Sequence, residues 1–104
     1  MSGGHLNLLG LAVRAGKCTF GEEAIVRDIQ KQKAKVVLIA SDTGKQTKKK
    51  LTDKCSFYNI PCYVVEDRDT LSQAIGKSGR VAIAVLDQGF AKKLQSLLDE
   101  SIRG

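Results

Sequence analysis

The sequence predicts an α/β fold, a three-layer α/β/α sandwich. Short apolar runs alternate with segments of helical periodicity along the whole chain, which is typical of this architecture. The run over residues 36–40 is continuously apolar, as in a strand that is covered on both faces. Hydrophobic residues make up 42% of the 104 residues and charged residues 27%. Because a chain of this length usually builds one core, we expect a single domain over residues 1–104.

The first part of the chain predicts three helices and two strands. The expected helices span residues 4–14, 22–33 and 45–58, and the expected strands span residues 18–20 and 36–40. In the second helix, Ile25, Val26 and Ile29 form an apolar stripe. The turn over residues 41–44 leads into the third helix, and Asp42 is expected to cap a helix there.

The second part continues the alternation of strands and helices. We expect a buried strand over residues 62–65 and a further strand over residues 81–86, separated by a short helix. Thr70 and Gln73 have the spacing of a capping box at the start of that helix. Asp87 is expected to cap the last helix, which follows with apolar residues at helical spacing.

Positive charge is concentrated in the first half of the chain. Residues 1–50 carry ten Lys and Arg against four Asp and Glu, a net charge of +6, whereas residues 51–104 carry seven of each sign. A one-sided basic field attracts polyanions, and nucleic acid is the commonest partner of that kind. The alternative is a solvated lysine surface that keeps the protein soluble.

Motifs of common enzymes and metal sites are missing from the sequence. A Walker phosphate-binding loop would need a glycine and a hydroxyl residue where the chain has Ile39 and Gln46. The three cysteines lack metal-ligand spacing, and the lone His5 lies near a terminus that we expect to be mobile. No apolar run reaches the ~18 residues of a membrane helix, and no secretory signal is visible. We therefore expect a cytoplasmic, non-enzymatic protein without cofactor, metal, membrane association or small-molecule substrate.

Three features, taken in order along the chain, carry a family resemblance. They are Gly21 opening a helix that contains Arg27, the strand end at 37–42, and the segment 71–76 before the last strand. In their order and spacing, the chain resembles the small RNA-binding ribosomal proteins of the L-seven-Ae and L-thirty-e superfamily, in their bacterial YlxQ-type branch. The resemblance covers nearly the whole chain. It implies a mixed four-stranded sheet and binding of structured RNA, often kink-turns, without enzymatic activity.

The resemblance places a binding signature at the start of the second helix. The family pattern is Gly-x-Asn-Glu-x-x-Lys, or Gly-x-Lys-Gln-x-x-Lys in bacterial relatives, and the matching positions here are Gly21, Glu23, Ala24 and Arg27. Arg27 keeps the positive charge and adds a bidentate guanidinium, unless it only pairs with Glu23 one turn away. Glu23 puts a carboxylate where an amide or a lysine should face RNA, and Ala24 lacks a group that accepts hydrogen bonds from guanine. Losing a base contact costs about 1–3 kcal/mol, so RNA binding is better supported than kink-turn recognition.

A second family contact is the loop that follows the pattern Leu-Gly-x-Ala-x-Gly. Ser72 stands in place of the first glycine, whereas Ala74 and Gly76 match. The loop itself, residues 77–80, reads Lys-Ser-Gly-Arg and is basic. The resemblance places this loop beside the start of the second helix, so its cations would share a surface with Arg27. The alternative for its glycines is plain turn chemistry.

These observations support one functional hypothesis and one alternative. The hypothesis is a protein that binds structured RNA, such as ribosomal or kink-turn-like RNA, and works with the translation machinery. The candidate RNA-contacting residues are Arg14, Lys17, Gly21, Glu22, Glu23, Arg27, Lys45, Lys77, Ser78 and Arg80. The alternative is a protein-interaction module of the ribosome or of the transcription and translation machinery that has lost kink-turn recognition.

Overall fold

The computed structural model describes the backbone of residues 4–103 and the side chains of residues 4–99. Helices and strands alternate strictly from the first element to the last. In chain order the elements are α1 (Gly4–Arg14), β1 (Cys18–Phe20), α2 (Glu22–Gln30), β2 (Val36–Ile39), α3 (Lys45–Phe57), β3 (Cys62–Val64), α4 (Arg68–Ile75), β4 (Ala82–Val85) and α5 (Gln88–Arg103).

The four strands form one mixed sheet with the order β1-β4-β2-β3. Strand β4 is antiparallel to both of its neighbours, β1 and β2, whereas β2 and β3 are parallel. Helices α1, α4 and α5 cover one face of the sheet, and α2 and α3 cover the other. The predicted three-layer α/β/α sandwich with a mixed four-stranded sheet is therefore confirmed.

The two central strands explain why their sequences are continuously apolar. All four residues of β2 and all four of β4 are buried. Because successive side chains in a strand point to opposite faces, Leu38 and Ile83 pack under α1, α4 and α5, whereas Val37 and Ala84 pack under α2 and α3. Each strand therefore contributes to two separate hydrophobic clusters.

One end of the sheet gathers three connecting segments. Strand β1 ends at Phe20, β2 ends at Ile39 and β4 begins at Ala82. The strand register pairs Phe20 with Ile83 and Ile39 with Ala82, so these three strand ends lie side by side. The chain after β1, the chain after β2 and the chain before β4 consequently meet at this end.

The predicted end of α2 at residue 33 is wrong, because the helix stops at Gln30. Gln32 has a positive φ of 63°, in the left-handed region that interrupts a helix. The amides of Lys33 and Ala34 then both donate to the carbonyl of Asp28. This tight turn directs the chain into β2.

Two predictions for the β3–α4 region are also wrong. Strand β3 is not buried, because it lies at the sheet edge with β2 as its partner, and Val64 is 47% exposed. Helix α4 starts at Arg68, three residues earlier than the capping box requires. Its cap is Asp67, whose carboxylate accepts a hydrogen bond from the Thr70 amide at 3.2 Å. Hydrogen bonds from the Thr70 side chain and from this amide lower the pKa of Asp67.

Three other polar residues have definite positions in the fold. Asp87 caps α5 as predicted and accepts a hydrogen bond from the Phe90 amide at 2.9 Å. Asp42 does not cap the helix that follows it in sequence, because its carboxylate accepts a hydrogen bond from the Arg68 amide at 2.9 Å at the start of α4, beside the N-cap Asp67. The His5 side chain is buried in α1, and the adjacent terminus that we expect to be mobile, residues 1–3, lies outside the described residues.

Candidate nucleic-acid interface

The start of α2, the first turns of α3 and the 77–80 loop surround a small cavity of about 70 Å³. Its lining consists of Gly21, Glu22, Thr47, Gly79, Arg80, Val81 and Ala82. Gly21 has a φ of 91°, which favours glycine, and a Cβ placed there would meet no described atom within 4 Å apart from those of its chain neighbours. The backbone at the start of α2 is therefore open to close approach by a ligand.

Ser72 holds the 77–80 loop in place from α4. Its hydroxyl donates to the Arg80 carbonyl at 3.1 Å and accepts from the Arg80 amide at 3.0 Å. The residue is 8% exposed, so these bonds are shielded from water. Gly79 has a φ of 72°, which lets the loop turn back toward β4. Ser72, where the family has a glycine, thus hydrogen-bonds both the amide and the carbonyl of Arg80.

The two cations of this loop lie over one aromatic ring. The Lys77 Nζ is 5.3 Å and the Arg80 Cζ is 5.5 Å from the centre of the Phe20 ring, within the range of a cation–π interaction. Phe20 directly precedes Gly21, so the ring holds both charges beside the start of α2. The Arg80 Nε is buried and has no hydrogen-bond partner among the described residues. Arg80 also has no carboxylate within 4 Å in the part of the chain that the structure describes, and a positive charge that is not neutralised at this position favours an anionic ligand.

Glu22 is engaged by α3. Its carboxylate accepts a hydrogen bond from the Thr47 hydroxyl at 2.8 Å and lies 3.1 Å from the Lys50 Nζ. The Thr47 bond, followed by the Lys50 contact, lowers the pKa of Glu22. The carboxylate is thus ionised at neutral pH and ties the start of α2 to α3.

The remaining candidates near the cavity are exposed. Glu23, Arg27, Lys45 and Ser78 all have solvent-exposed side chains. The expected alternative, a Glu23–Arg27 ion pair, does not form within 4 Å, and Arg27 is in no ion pair with another described side chain. Arg27 lies about 7.5 Å along the axis of α2 from its first residue. The structure therefore leaves its guanidinium available.

Two predicted residues lie away from this surface. The Leu86 amide donates to the Lys17 carbonyl at 2.8 Å, which places Lys17 at the opposite end of β1 from Gly21, about 13 Å away. Arg14 lies in a groove of about 320 Å³ between α1 and α4. The structure therefore brings together Gly21, Glu22, Lys77 and Arg80, but not Arg14 or Lys17.

The part of the chain that the structure describes contains no metal site, and its three thiols are at least partly buried. Its His, Cys, Asp and Glu side chains form no cluster of three that could hold a metal ion. Cys55 is buried against Cys62, and this contact raises the pKa of the Cys55 thiol while it lowers that of Cys62. Burial raises the pKa of Cys18 to about 11. Over residues 4–103, no helix is long and apolar enough to cross a membrane.

Sequence reasoning missed Phe20, Thr47 and the role of Ser72. Ser72 gave a weak signal, because a serine beside Leu71 and Ile75 interrupts the apolar face of α4. Phe20 gave none, because an aromatic residue in a short strand is usually a core residue. Their roles depend on contacts with segments distant in the sequence.

The fold and the site agree with a family assignment from sequence. The model of the Ribosomal protein L7Ae/L30e/S12e/Gadd45 family matches residues 5–95. The chain belongs to this family. The matched residues include all ten candidate site residues, so the whole interface lies within the family domain.

Relatives within the family place the chain in its bacterial YlxQ branch. It is 51% identical over 92 residues to the RNA-binding protein YlxQ of Bacillus subtilis, covering 88% of this chain and 92% of that protein. It is 45% identical over 94 residues to the YlxQ protein of Enterococcus faecium, covering 90% of each chain. Large ribosomal subunit protein eL30 of Candida albicans is 31% identical over 91 residues, covering 86% of each.

Two solved structures superpose on most of the chain. A Bacillus halodurans protein of unknown function has a TM-score of 0.90 at 49% identity, covering 92% of this chain and 97% of that one. The Giardia lamblia 15.5kD RNA binding protein has a TM-score of 0.76 at 19% identity, covering 88% and 85%. At that identity, the second likeness supports the fold alone.

Proposed function

We propose that this protein is a non-enzymatic, single-domain RNA-binding protein that holds structured RNA against the surface formed by Gly21, the start of α2 and the 77–80 loop. The observation that carries the proposal is the placement of two cations, Lys77 and Arg80, over Phe20 beside the open backbone of Gly21. A pair of cations over one ring, next to an accessible backbone, suits a phosphate group.

The relatives support RNA as the ligand. Both YlxQ proteins are named for RNA binding and not for an enzymatic activity, and they are 51% and 45% identical to this chain. The net charge of +6 adds a long-range attraction for a polyanion. We therefore propose a cytoplasmic role on ribosomal or similar structured RNA, with components of the ribosome or of the transcription and translation machinery as protein partners.

The type of RNA that we propose follows from the residues at two signature positions, Glu23 and Ala24. Glu23 presents a carboxylate to solvent, and Ala24 is a half-buried methyl group that accepts no hydrogen bond. Recognition of guanine edges at these positions is therefore weak, whereas the phosphate contacts of Lys77 and Arg80 do not depend on sequence. We propose that the protein binds kink-turn-like RNA through its phosphates, with little preference over other structured RNAs.

A salt titration of RNA binding tests the proposal. Affinity for a structured RNA should fall steeply between about 50 and 200 mM salt, because phosphate contacts release counterions. Replacing Lys77 and Arg80 together with glutamine should weaken binding to all structured RNAs alike and reduce the salt slope by about two. The matched control replaces Lys92 and Lys93 on α5, which are exposed and on the other layer.

Two results would contradict this function. One is the absence of RNA binding at low salt, and the other is equal weakening by the loop variant and the α5 control. The first result would favour a protein-interaction module, the alternative that the altered signature allows.

A further inference from the structure

The first two turns of α3 carry a lysine face, which we define as Lys45, Lys48 and Lys49. These residues have i, i+3, i+4 spacing, so their side chains project from one side of the helix. The segment from residue 45 to residue 52 contains no carboxylate. Lys50 lies on a different side of α3, where its Nζ is 3.1 Å from Glu22. The lysine face is therefore separate from the contact between α3 and α2.

Little of the charge on this face is neutralised within the protein. Lys49 pairs with Asp53 at 2.9 Å, but the two side chains are 77% and 63% exposed, so the pair contributes little. Lys45 and Lys48 have no carboxylate within 4 Å among the described residues. Like charges at this spacing destabilise a helix. A bound anion would remove that repulsion.

The lysine face has a fixed position relative to the candidate interface. The Thr43 hydroxyl, two residues before α3, donates to the carbonyl of Ala40 at 2.7 Å and shares its proton with the carbonyl of Val81 at 3.2 Å, next to Arg80. The Thr47 hydroxyl donates to Glu22 at 2.8 Å on the other side of the cavity. The bonds to Val81 and Glu22 anchor the start of α3 to the rim of the site. An RNA seated at the 77–80 loop would therefore find these lysines at a constant distance.

We propose that the lysine face binds the phosphate backbone of a helical RNA arm that extends away from the candidate interface. The proposal rests on the proposed function, since it concerns a second contact of the same RNA. Lysines are flexible point charges without the planar fork of arginine, and the face contains no aromatic residue for base stacking. Contacts of this kind position a duplex and do not read its sequence.

The test combines a charge-neutral variant with trimmed RNAs. In the variant, Lys45, Lys48 and Lys49 are all replaced with glutamine, and binding is measured with a structured RNA whose arms are long. Each arm is then shortened in turn. We expect the variant to lose roughly 10- to 100-fold in affinity for the long-armed RNA at physiological salt, with a salt slope shallower by about three. Trimming one particular arm should weaken the wild type and leave the variant almost unchanged.

A matched triple variant supplies the control. Lys33, Lys92 and Lys93 are exposed, as are Lys45 and Lys49, and replacing the first three with glutamine removes the same net charge from other surfaces. Equal loss in both variants, or equal loss for every RNA length, would overturn the lysine face as a contact surface. The proposed function has its own readout in the Lys77 and Arg80 variant. If that variant loses binding while the α3 variant does not, only the inference about α3 fails. Thermal unfolding of each variant confirms that it is folded.

Discussion

At the scale of single residues, Ser72 illustrates how a departure from a family pattern creates a structural role. Glycine at this position could make no side-chain hydrogen bond, whereas the serine hydroxyl satisfies both the amide and the carbonyl of Arg80. Phe20 acts on the other side of the loop, where its ring holds the charged groups. The loop cations are therefore arranged before a ligand arrives, which reduces the entropy lost on binding.

Replacing Ser72 with alanine should lower both stability and RNA affinity. The free energy of unfolding should fall by about 1–3 kcal/mol, because buried polar groups lose their partner. RNA affinity should fall while the salt slope stays unchanged, since no charge is removed. Chemical denaturation and salt titration measure these effects. Ser96, exposed on α5, provides the control substitution to alanine. A reduced salt slope in the Ser72 variant would contradict a purely positioning role.

The two signature departures make a separate prediction. Replacing Glu23 with asparagine and Ala24 with glutamate should restore side chains that read the sheared guanine–adenine pairs of a kink-turn. A base contact contributes about 1–3 kcal/mol, so selectivity for a kink-turn over a plain duplex should rise roughly 10- to 100-fold. Competition binding with the two RNAs measures this ratio. Strong selectivity in the wild type, or no gain in the double variant, would show that other residues discriminate.

The sequence predicted part of the candidate site, and there is a physical reason why it could not predict which charged residues lie there. Gly21, Lys77 and Arg80 lie on one surface, as expected from local motifs and the family order. Its charge alone predicts Lys17 as an RNA contact. The antiparallel register of β1 with β4, however, places Lys17 at the opposite end of the sheet from Gly21. Charge is visible in a sequence, whereas the position of a side chain along a strand pair depends on register.

At the scale of elements, α3 has a start that is unfavourable for an isolated helix. Its first turn contains no acidic residue, its N-cap Gly44 makes no side-chain hydrogen bond, and Lys45 and Lys48 lie near the positive end of the helix dipole. Helix α2 shows the opposite pattern, with Glu22 and Glu23 in its first turn. Residues that break a local rule are often kept for function, which agrees with the proposed role of the lysine face.

Replacing Gln46 with glutamate should therefore stabilise the protein and weaken RNA binding. A carboxylate in the first turn of α3 gains about 0.3–1 kcal/mol from the helix dipole, and it can pair with Lys49 and Lys50 at favourable spacing. Thermal unfolding should shift upward by a few degrees, whereas RNA affinity should fall. The same substitution at Gln30, the last residue of α2, reverses the dipole effect and should not stabilise. A stabilised variant with unchanged RNA affinity would contradict the role of this face.

The fold itself was largely predictable at this scale, and the errors fall on element ends and edges. Buried central strands such as β2 have a clear apolar signature, because both of their faces are covered. The three-residue edge strand β3 has a similar sequence but only one neighbour, and neighbours are set by the whole topology. The early end of α2 depends on the left-handed conformation of Gln32, which polar sequence alone does not indicate.

At the scale of the whole molecule, the interface depends on how the two helices of one layer are joined. Helices α2 and α3 start at the same end of the sheet, and their starts are connected by the Glu22 carboxylate through Thr47 and Lys50. This connection crosses the rim of the cavity. Protonation of the Glu22 carboxylate should therefore affect both the stability of the protein and the geometry of the candidate interface.

Acid should remove the contribution of Glu22 to stability. Since the folded state lowers the pKa of this group, its contribution is present above the unfolded pKa and is lost as the pH falls through the folded pKa. Replacing Glu22 with glutamine should reduce the free energy of unfolding at pH 7, and the difference from the wild type should shrink from about pH 5 downward. Urea denaturation at pH 7, 5 and 3 measures this difference.

Glu23 provides the comparison for this pH series, because it has no hydrogen bond or ion pair with another described side chain. Its replacement with glutamine removes the same charge from the next residue of α2, so any general effect of net charge appears in both variants. The Glu23 variant should lose only the small helix-dipole contribution of a first-turn carboxylate, whereas the Glu22 variant should lose clearly more stability at neutral pH and converge on the wild type in acid. A difference between the Glu22 variant and the wild type that stays constant from pH 7 to pH 3 would mean that the side chain stabilises by packing. Parallel curves for the two variants would mean that the contact between α2 and α3 contributes nothing to holding the interface together.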